Sequence, residues 1–352
     1  MNFIDGSLWP ENQEKLVITA APYGPEWLPT DFPEDIPVSM EEHIQKAVDC
    51  YNAGATVLHI HVREPNGKGS KRLSRFNELL AGIRARVPEL VLQVGGSISF
   101  SPEGDGAEAK WLSDDTRHML AELQPAPDQV TVAVSTVQMN IVEQMCDADL
   151  KTTSFQDPAI YRAYQEMIVP AGPGWVQEHV RRLSAKGIQT QFQLCNITHL
   201  ETLERMMRKG KANVPLILTW VAIGGGFEAP NIYNLANFIR ACPDGSVVTL
   251  ESSMLNVLPL NMMAIAMGLH VRCGNEDNLW TQNRERKMTT VEQIEQLVRI
   301  SREFGRDIAS CQDARRIYRI GTFYKDADET LAANGFAPNR KPKQLGVVQT
   351  AA

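Results

Sequence analysis

The sequence predicts an α/β fold: a closed (β/α)8 TIM barrel with long βα loops on its catalytic face. Short β-branched runs alternate with longer segments of helical periodicity, the signature of βα units. The runs number eight, each followed by a helix. No Gly-x-Gly-x-x-Gly follows the first run, which weakens the case for an open doubly wound sheet.

The first strand is 16–21, and the helix after it opens at Ser39 with Glu42 three residues on, a capping box, and closes at Gly54. Strands two to eight are 56–62, 90–95, 129–134, 189–195, 216–221, 246–251 and 269–273. Helical stretches lie near 74–87, 113–124, 173–186, 198–209, 231–241, 257–267 and 290–304. The connections after strands one to four are long, and the fourth, 135–172, carries a helix of its own at 158–167. In a barrel such insertions build a covered pocket. The expected organisation is one barrel domain, 1–338, and a C-terminal arm, 339–352, loose or docked on a neighbouring subunit.

Among the 352 residues, 42 Asp+Glu outweigh 35 Lys+Arg for a formal charge of −7. That balance lacks the basic field that nucleic acid or an anionic membrane requires, so neither is an expected partner. The N-terminus has no basic segment followed by an apolar stretch. The most apolar window, 215–223, is far short of the roughly 20 residues of a membrane span. A soluble, cytoplasmic chain is expected. The six cysteines lie far apart with no CxxC pair, so they read as reduced and buried.

The second strand runs Thr56-Val-Leu-His-Ile-His-Val-Arg63, and its period of two sets His59, His61 and Arg63 on one face. Two imidazoles so spaced chelate a divalent metal when a carboxylate completes the set; otherwise they are a hydrogen-bonded interior pair. The eighth strand leads into Gly268-Leu-His-Val-Arg-Cys-Gly-Asn-Glu-Asp-Asn278, which puts Arg272 at the barrel mouth. Glu276 is then a third ligand, Asp277 a base and Arg272 a charge for an anionic substrate. The competing reading of this segment is a polar turn whose Asp caps the next helix.

With these residues in view, the chain resembles the β-keto acid cleavage enzyme family over about 16–316. The resemblance rests on Ile18-Thr-Ala-Ala21, on Ala53-Gly-Ala with His59-Ile-His-Val-Arg63, and above all on 268–278. It implies a (β/α)8 barrel, usually a homo-oligomer, with zinc (Zn2+) held by His59, His61 and Glu276. The implied reaction takes a β-keto acid and acetyl-CoA to acetoacetate and a new acyl-CoA, with Asp277 removing the methylene proton and Arg272 stabilising negative charge. Glu26, in Tyr23-Gly-Pro-Glu26, matches an acidic residue that contacts the substrate or supports the site.

Substrate positions carry over with departures. The family often has Ser-Thr-Gly-Gly at the third strand's end; here Gln93-Val-Gly-Gly-Ser97 displaces the serine to Ser97 and leaves Gly95 and Gly96 to offer backbone N–H groups. Thr131 matches a substrate-facing threonine, and Arg63 joins the substrate-binding set. Gln191 and Gln193 stand where carboxylates are usual, which favours a substrate with a neutral or polar far end. Glu251 keeps that point open. Gly224-Gly-Gly-Phe227 either lets a pantetheine or phosphate chain approach the backbone or makes a tight turn. Trp220, Trp280 and Phe227 read as core or rim packing. Two alternatives remain: a metal-dependent barrel aldolase or hydrolase that does not use CoA, and a non-catalytic small-molecule-binding barrel. The joint presence of His59, His61, Arg272, Glu276 and Asp277 speaks against the second.

Overall fold

The computed structural model describes residues 4–96, 100–101, 110–111 and 114–344. Eight parallel strands close a barrel: β1 (Ile18–Ala20), β2 (Val57–Ile60), β3 (Val91–Val94), β4 (Gln129–Ala133), β5 (Gln189–Leu194), β6 (Ile217–Ala222), β7 (Val247–Ser252) and β8 (His270–Cys273). They pair in sequence order and β8 returns to β1. Each strand lies within its expected run or runs one residue beyond it, because the parallel ladder reaches only where both neighbours offer register partners. At β2 the ladder ends at Ile60, which leaves Arg63 three residues beyond it.

The first βα helix, Met40–Ala53, has the expected ends. Ser39 Oγ accepts from Glu42 N, Glu42 Oε2 accepts from Ser39 N at 2.8 Å, and Gly54 takes φ +117°. The stretch at 113–124 divides into a short helix, Asp114–His118, and a 3-10 turn, Met119–Glu122. The helix within the fourth connection is Pro158–Gln165, opened by Asp157. It lies between the strands of an unanticipated antiparallel ribbon, Val137–Met139 with Met167–Val169. Two further helices, Cys311–Ile317 and Ala327–Ala333, follow the eighth unit. Of the expected arm, 339–344 is exposed and 345–352 lies outside the described residues. No helix among the described residues is long and apolar enough to cross a membrane.

Outward strand positions such as Leu58, Ile60 and Leu92 pack under the helices in the main core. A second cluster closes the barrel floor, where Val17, Val57 and Val91 meet Ala314, Ile317 and Tyr318 from the C-terminal segment. Above that floor the interior is polar: Gln93, Gln129, Gln189 and Gln191 are all buried. Barrel interiors more often hold branched apolar side chains, so this one is built around hydrogen bonds.

The same burial makes stability depend on pH. His43 is fully enclosed against the edge of Tyr23, with ring centroids 4.4 Å apart. Burial first, then Arg63 and Arg75, lowers its pKa to about 3. The unfolded chain takes up this proton near pH 6.5, so stability is lost as pH falls through that value toward 3. His43→Phe is expected to remove about 2 kcal/mol of the stability loss between pH 6.5 and 5. Urea unfolding at both pH values checks this, and an unchanged difference would count against a neutral buried His43.

Candidate active site

In the barrel β1 lies between β2 and β8, so groups at the ends of those two strands meet over the end of β1. His59 sits on β2, His61 follows it, and Glu276 stands three residues beyond β8. The turn carrying Glu276 is braced on several sides. Glu276 N donates to Ala21 O, Gln293 Oε1 accepts from Gly274 N, and Gln293 Nε2 donates to Asn275 Oδ1. Asp35, from the first loop, accepts from Asn275 Nδ2 at 2.6 Å and from Thr290 N at 2.8 Å.

The result is a triangle of donors. His59 Nε2 and His61 Nε2 are 3.3 Å apart, and each is 3.5 Å from Glu276 Oε1. A tetrahedral ion with bonds of about 2.0–2.1 Å has ligand-to-ligand edges of about 3.3–3.4 Å, so the triangle fits a divalent cation. Donor chemistry agrees. His59 Nδ1 faces Gln93 Oε1 at 2.7 Å, and its Nε2 is turned toward the Glu276 carboxylate. Burial, then Arg272, lowers the His59 pKa to about 4, so a proton does not fill that role at neutral pH. Glu276 Oε2 is buried with no hydrogen-bond partner among the described residues.

Arg272 joins the triangle to the other carboxylates. Its Nε and Nη2 donate to the two oxygens of Asp277 at 3.0 and 2.7 Å, Nη2 also reaches Glu276 Oε1 at 2.7 Å, and Nη1 is 3.4 Å from Glu251 Oε2. Burial would lower the guanidinium's pKa, but Asp277, Glu251 and Glu276 outweigh it and hold it above its ordinary value. Burial likewise opposes ionisation of Glu276, yet Arg272 and the two histidines hold its carboxyl well below the usual range. Burial pushes Asp277 up to about 8 against the pull of Arg272. It also raises Glu251, and it raises Glu26 well above the usual range with help from Glu276.

A cleft opens over the triangle, with Glu26, Glu251 and Gln193 among its polar lining and Val137, Val169 and Phe227 among its walls. Thr131, Gly95 and Gly96 line it too. The expectation that both glycines offer N–H groups is corrected, because Gly95 N donates to Ile60 O and Gly96 N to Thr131 Oγ1. What Gly95 supplies is room: a Cβ there would stand 2.6 Å from His61 Nε2. Ser97 falls outside the described residues.

Three other expectations change. Arg63 is not a cleft residue: its guanidinium donates to Gly67 O, Gly24 O and Trp27 O, tying the first loop to the second. Gln191 faces the interior and accepts from Gln93 Nε2 at 2.8 Å. Asp277 lines, together with its partner Arg272, a smaller neighbouring pocket rather than the cleft itself. Glu251 does reach the cleft, where its Oε1 accepts from Gln193 Nε2 at 3.4 Å. The cleft therefore keeps a carboxylate beside Gln193, and the preference for a neutral far end loses its premise. The Gly224–Gly226 run is a packing device, since Gly225 has φ +77° and a Cβ there would stand 2.6 Å from Asn140 N. Trp280 Nε1 donates to Asp149, and Trp220 packs on Phe238, so only Phe227 of the three aromatics lines the cleft.

The model of a family described as beta-keto acid cleavage enzyme matches residues 15–320. The chain is similar to the 3-keto-5-aminohexanoate cleavage enzyme of Acetoanaerobium sticklandii, 27% identical over 308 residues that cover 87% of this chain and 99% of that one. It is also similar to the 3-dehydrocarnitine:acetyl-CoA trimethylamine transferase of Rhizobium meliloti, 22% identical over 291 residues, 81% of this chain and 90% of the other. Among solved structures, the complex of ObcA with oxaloacetate shares the fold, with a TM-score of 0.57 at 14% identity over 81% of this chain and 67% of that one.

The purified protein is expected to carry or take up one divalent ion per chain, and His59→Ala and Glu276→Gln to lose it. Elemental analysis after dialysis checks this. Full occupancy in His59→Ala would place the ion elsewhere.

Proposed function

Because the chain belongs to the beta-keto acid cleavage enzyme family, we propose that it takes a β-keto acid and acetyl-CoA to acetoacetate and a new acyl-CoA. The observation that carries this reading is the His59, His61 and Glu276 triangle beside a buried Arg272, under a cleft with apolar walls. Acetyl-CoA appears in the name of the R. meliloti relative.

In the reaction a proton leaves the methylene between the substrate's keto group and its carboxylate, and that carbon bonds to the acetyl carbon while coenzyme A leaves as the thiolate. The thiolate then adds to the original keto carbon. The bond from that carbon to the former methylene breaks, the proton returns, and acetoacetate and the new thioester depart. No protein nucleophile is consumed.

His59, His61 and Glu276 would hold a divalent ion, zinc in this reading, and such an ion would supply the Lewis acidity that makes the methylene proton easier to remove. Arg272 keeps its positive charge in burial and stabilises the negative charge that develops. Asp277 orients the guanidinium through two hydrogen bonds and accepts the proton in this reading. Glu251 is a second candidate acceptor: it lines the cleft, burial raises its carboxyl, and it stands 3.4 Å from the same guanidinium. Glu26 and Thr131 face the cleft as substrate contacts, and Val137, Val169 and Phe227 take the acyl chain. The reading includes a cytoplasmic homo-oligomer with 1–338 as one barrel unit. The cysteines, all free, support a reducing compartment.

Incubation with acetyl-CoA and a panel of β-keto acids is expected to yield acetoacetate and the matching acyl-CoA. Cleavage that proceeds equally well without acetyl-CoA would favour an aldolase or hydrolase. Asp277→Asn is expected to keep its metal and lose about 10²–10⁴-fold in kcat, with Glu251→Gln within about tenfold of the parent. The reverse ranking would hand the proton acceptor's role to Glu251.

A further inference from the structure

The barrel interior holds a directed chain of amides. At the floor, Gln189 Nε2 donates to Tyr318 O at 2.7 Å and to Arg319 O at 2.9 Å. Gln129 Nε2 donates to Gln189 Oε1 at 2.6 Å, and Gln93 Nε2 donates to Gln129 Oε1 at 2.9 Å. Gln93 Oε1 then faces His59 Nδ1 at 2.7 Å. The three glutamines are at most 1% exposed, so water does not compete for their partners.

The polarity of this chain follows from its lower end. Backbone carbonyls only accept, so Gln189 must turn its NH2 to Tyr318 and Arg319 and its oxygen toward Gln129. Gln129 must then donate downward and present its oxygen to Gln93. The same logic turns the Gln93 oxygen to His59, whose Nδ1 must carry the hydrogen. A neutral imidazole with Nδ1–H has its lone pair on Nε2, the atom that faces Glu276. Gln93 spends its other amide hydrogen on Gln191 Oε1, which leaves it no donor to offer His59.

We infer that Gln189, Gln129 and Gln93 are positioning residues that transmit the orientation of two floor carbonyls to a metal ligand, holding His59 in the Nδ1–H tautomer. A flip anywhere along the chain sets donor against donor or oxygen against oxygen in a buried site, so the chain behaves as a unit. Its purpose rests on the reading of His59, His61 and Glu276 as a metal site, whereas its direction does not.

The test uses Gln189→Met, at the barrel floor and outside the cleft lining. Metal-free protein with ¹⁵N-labelled histidine is examined at pH 8 by long-range ¹H–¹⁵N correlation, with His59 assigned from its loss in His59→Gln. The parent is expected to show protonated Nδ1 and bare Nε2. Gln189→Met is expected to show a tautomer mixture and zinc affinity about tenfold weaker by chelator competition, a typical loss when a ligand's hydrogen-bond partner is disturbed. Lower stability alone would move neither readout. If Gln189→Met does not fold, Gln129→Met reads the same two quantities one link higher. An unchanged tautomer and unchanged zinc affinity in the folded variant would overturn the relay. A parent that shows the expected tautomer yet binds no zinc would support the relay and count against the metal reading.

Discussion

The site is governed by the cost of burying Glu26, Glu251, Glu276 and Asp277 around a single guanidinium, that of Arg272. Removing carboxylates from water costs several kcal/mol each unless positive charge or hydrogen bonds replace the lost hydration. Arg272 supplies one charge and divides it among three of them. What remains is met by protonation, toward which burial pushes Glu26, Glu251 and Asp277, or by a cation at the histidine corner. A barrel mouth with this surplus is predisposed to hold a metal and to exchange a proton. Both suit the proposed deprotonation of a β-keto acid.

Such a cluster keeps its geometry only if the surrounding loops cannot relax. Asp35 reaches from the first βα loop to Asn275, next to Glu276, and to the start of the helix Thr290–Phe304. Arg63 binds three loop carbonyls, and Gln293 holds the turn after β8 at several points. Each brace is a side chain satisfying backbone groups that an irregular loop would otherwise bury unpaired. The long loops thus present the cleft while the groups beneath them stay fixed. The glutamines inside the barrel continue this pattern downward, linking His59 to the floor where Tyr318 closes the second core cluster.

Eight βα units were legible because strand and helix periods are local properties of the chain, and the capping box at Ser39 is local too. Placing His59 and His61 on one side required only the two-residue alternation, and the motif ending in Glu276 and Asp277 supplied a third donor. The ribbon Val137–Met139 with Met167–Val169 was not legible, because three-residue strands paired across a long insertion leave no periodic trace.

What only the tertiary structure decided was the use of each polar group. Gly95 and Gly96 follow β3, yet their N–H groups are spent on Ile60 and Thr131 of the flanking strands. Arg63 shares parity with His59 and His61, but it lies three residues past the end of β2, where loop carbonyls take its guanidinium. Gln191 and Gln193 share a face of β5, and their depth along the barrel axis sends one to Gln93 and the other to Glu251. Asp277 follows Glu276 directly, but both its oxygens are claimed by Arg272. Period and motif therefore determined which residues gather at the mouth. Partner choice waited on strand ends, register and depth, because a hydrogen bond depends on what the neighbouring strand presents at that height, and no single stretch of sequence contains that information.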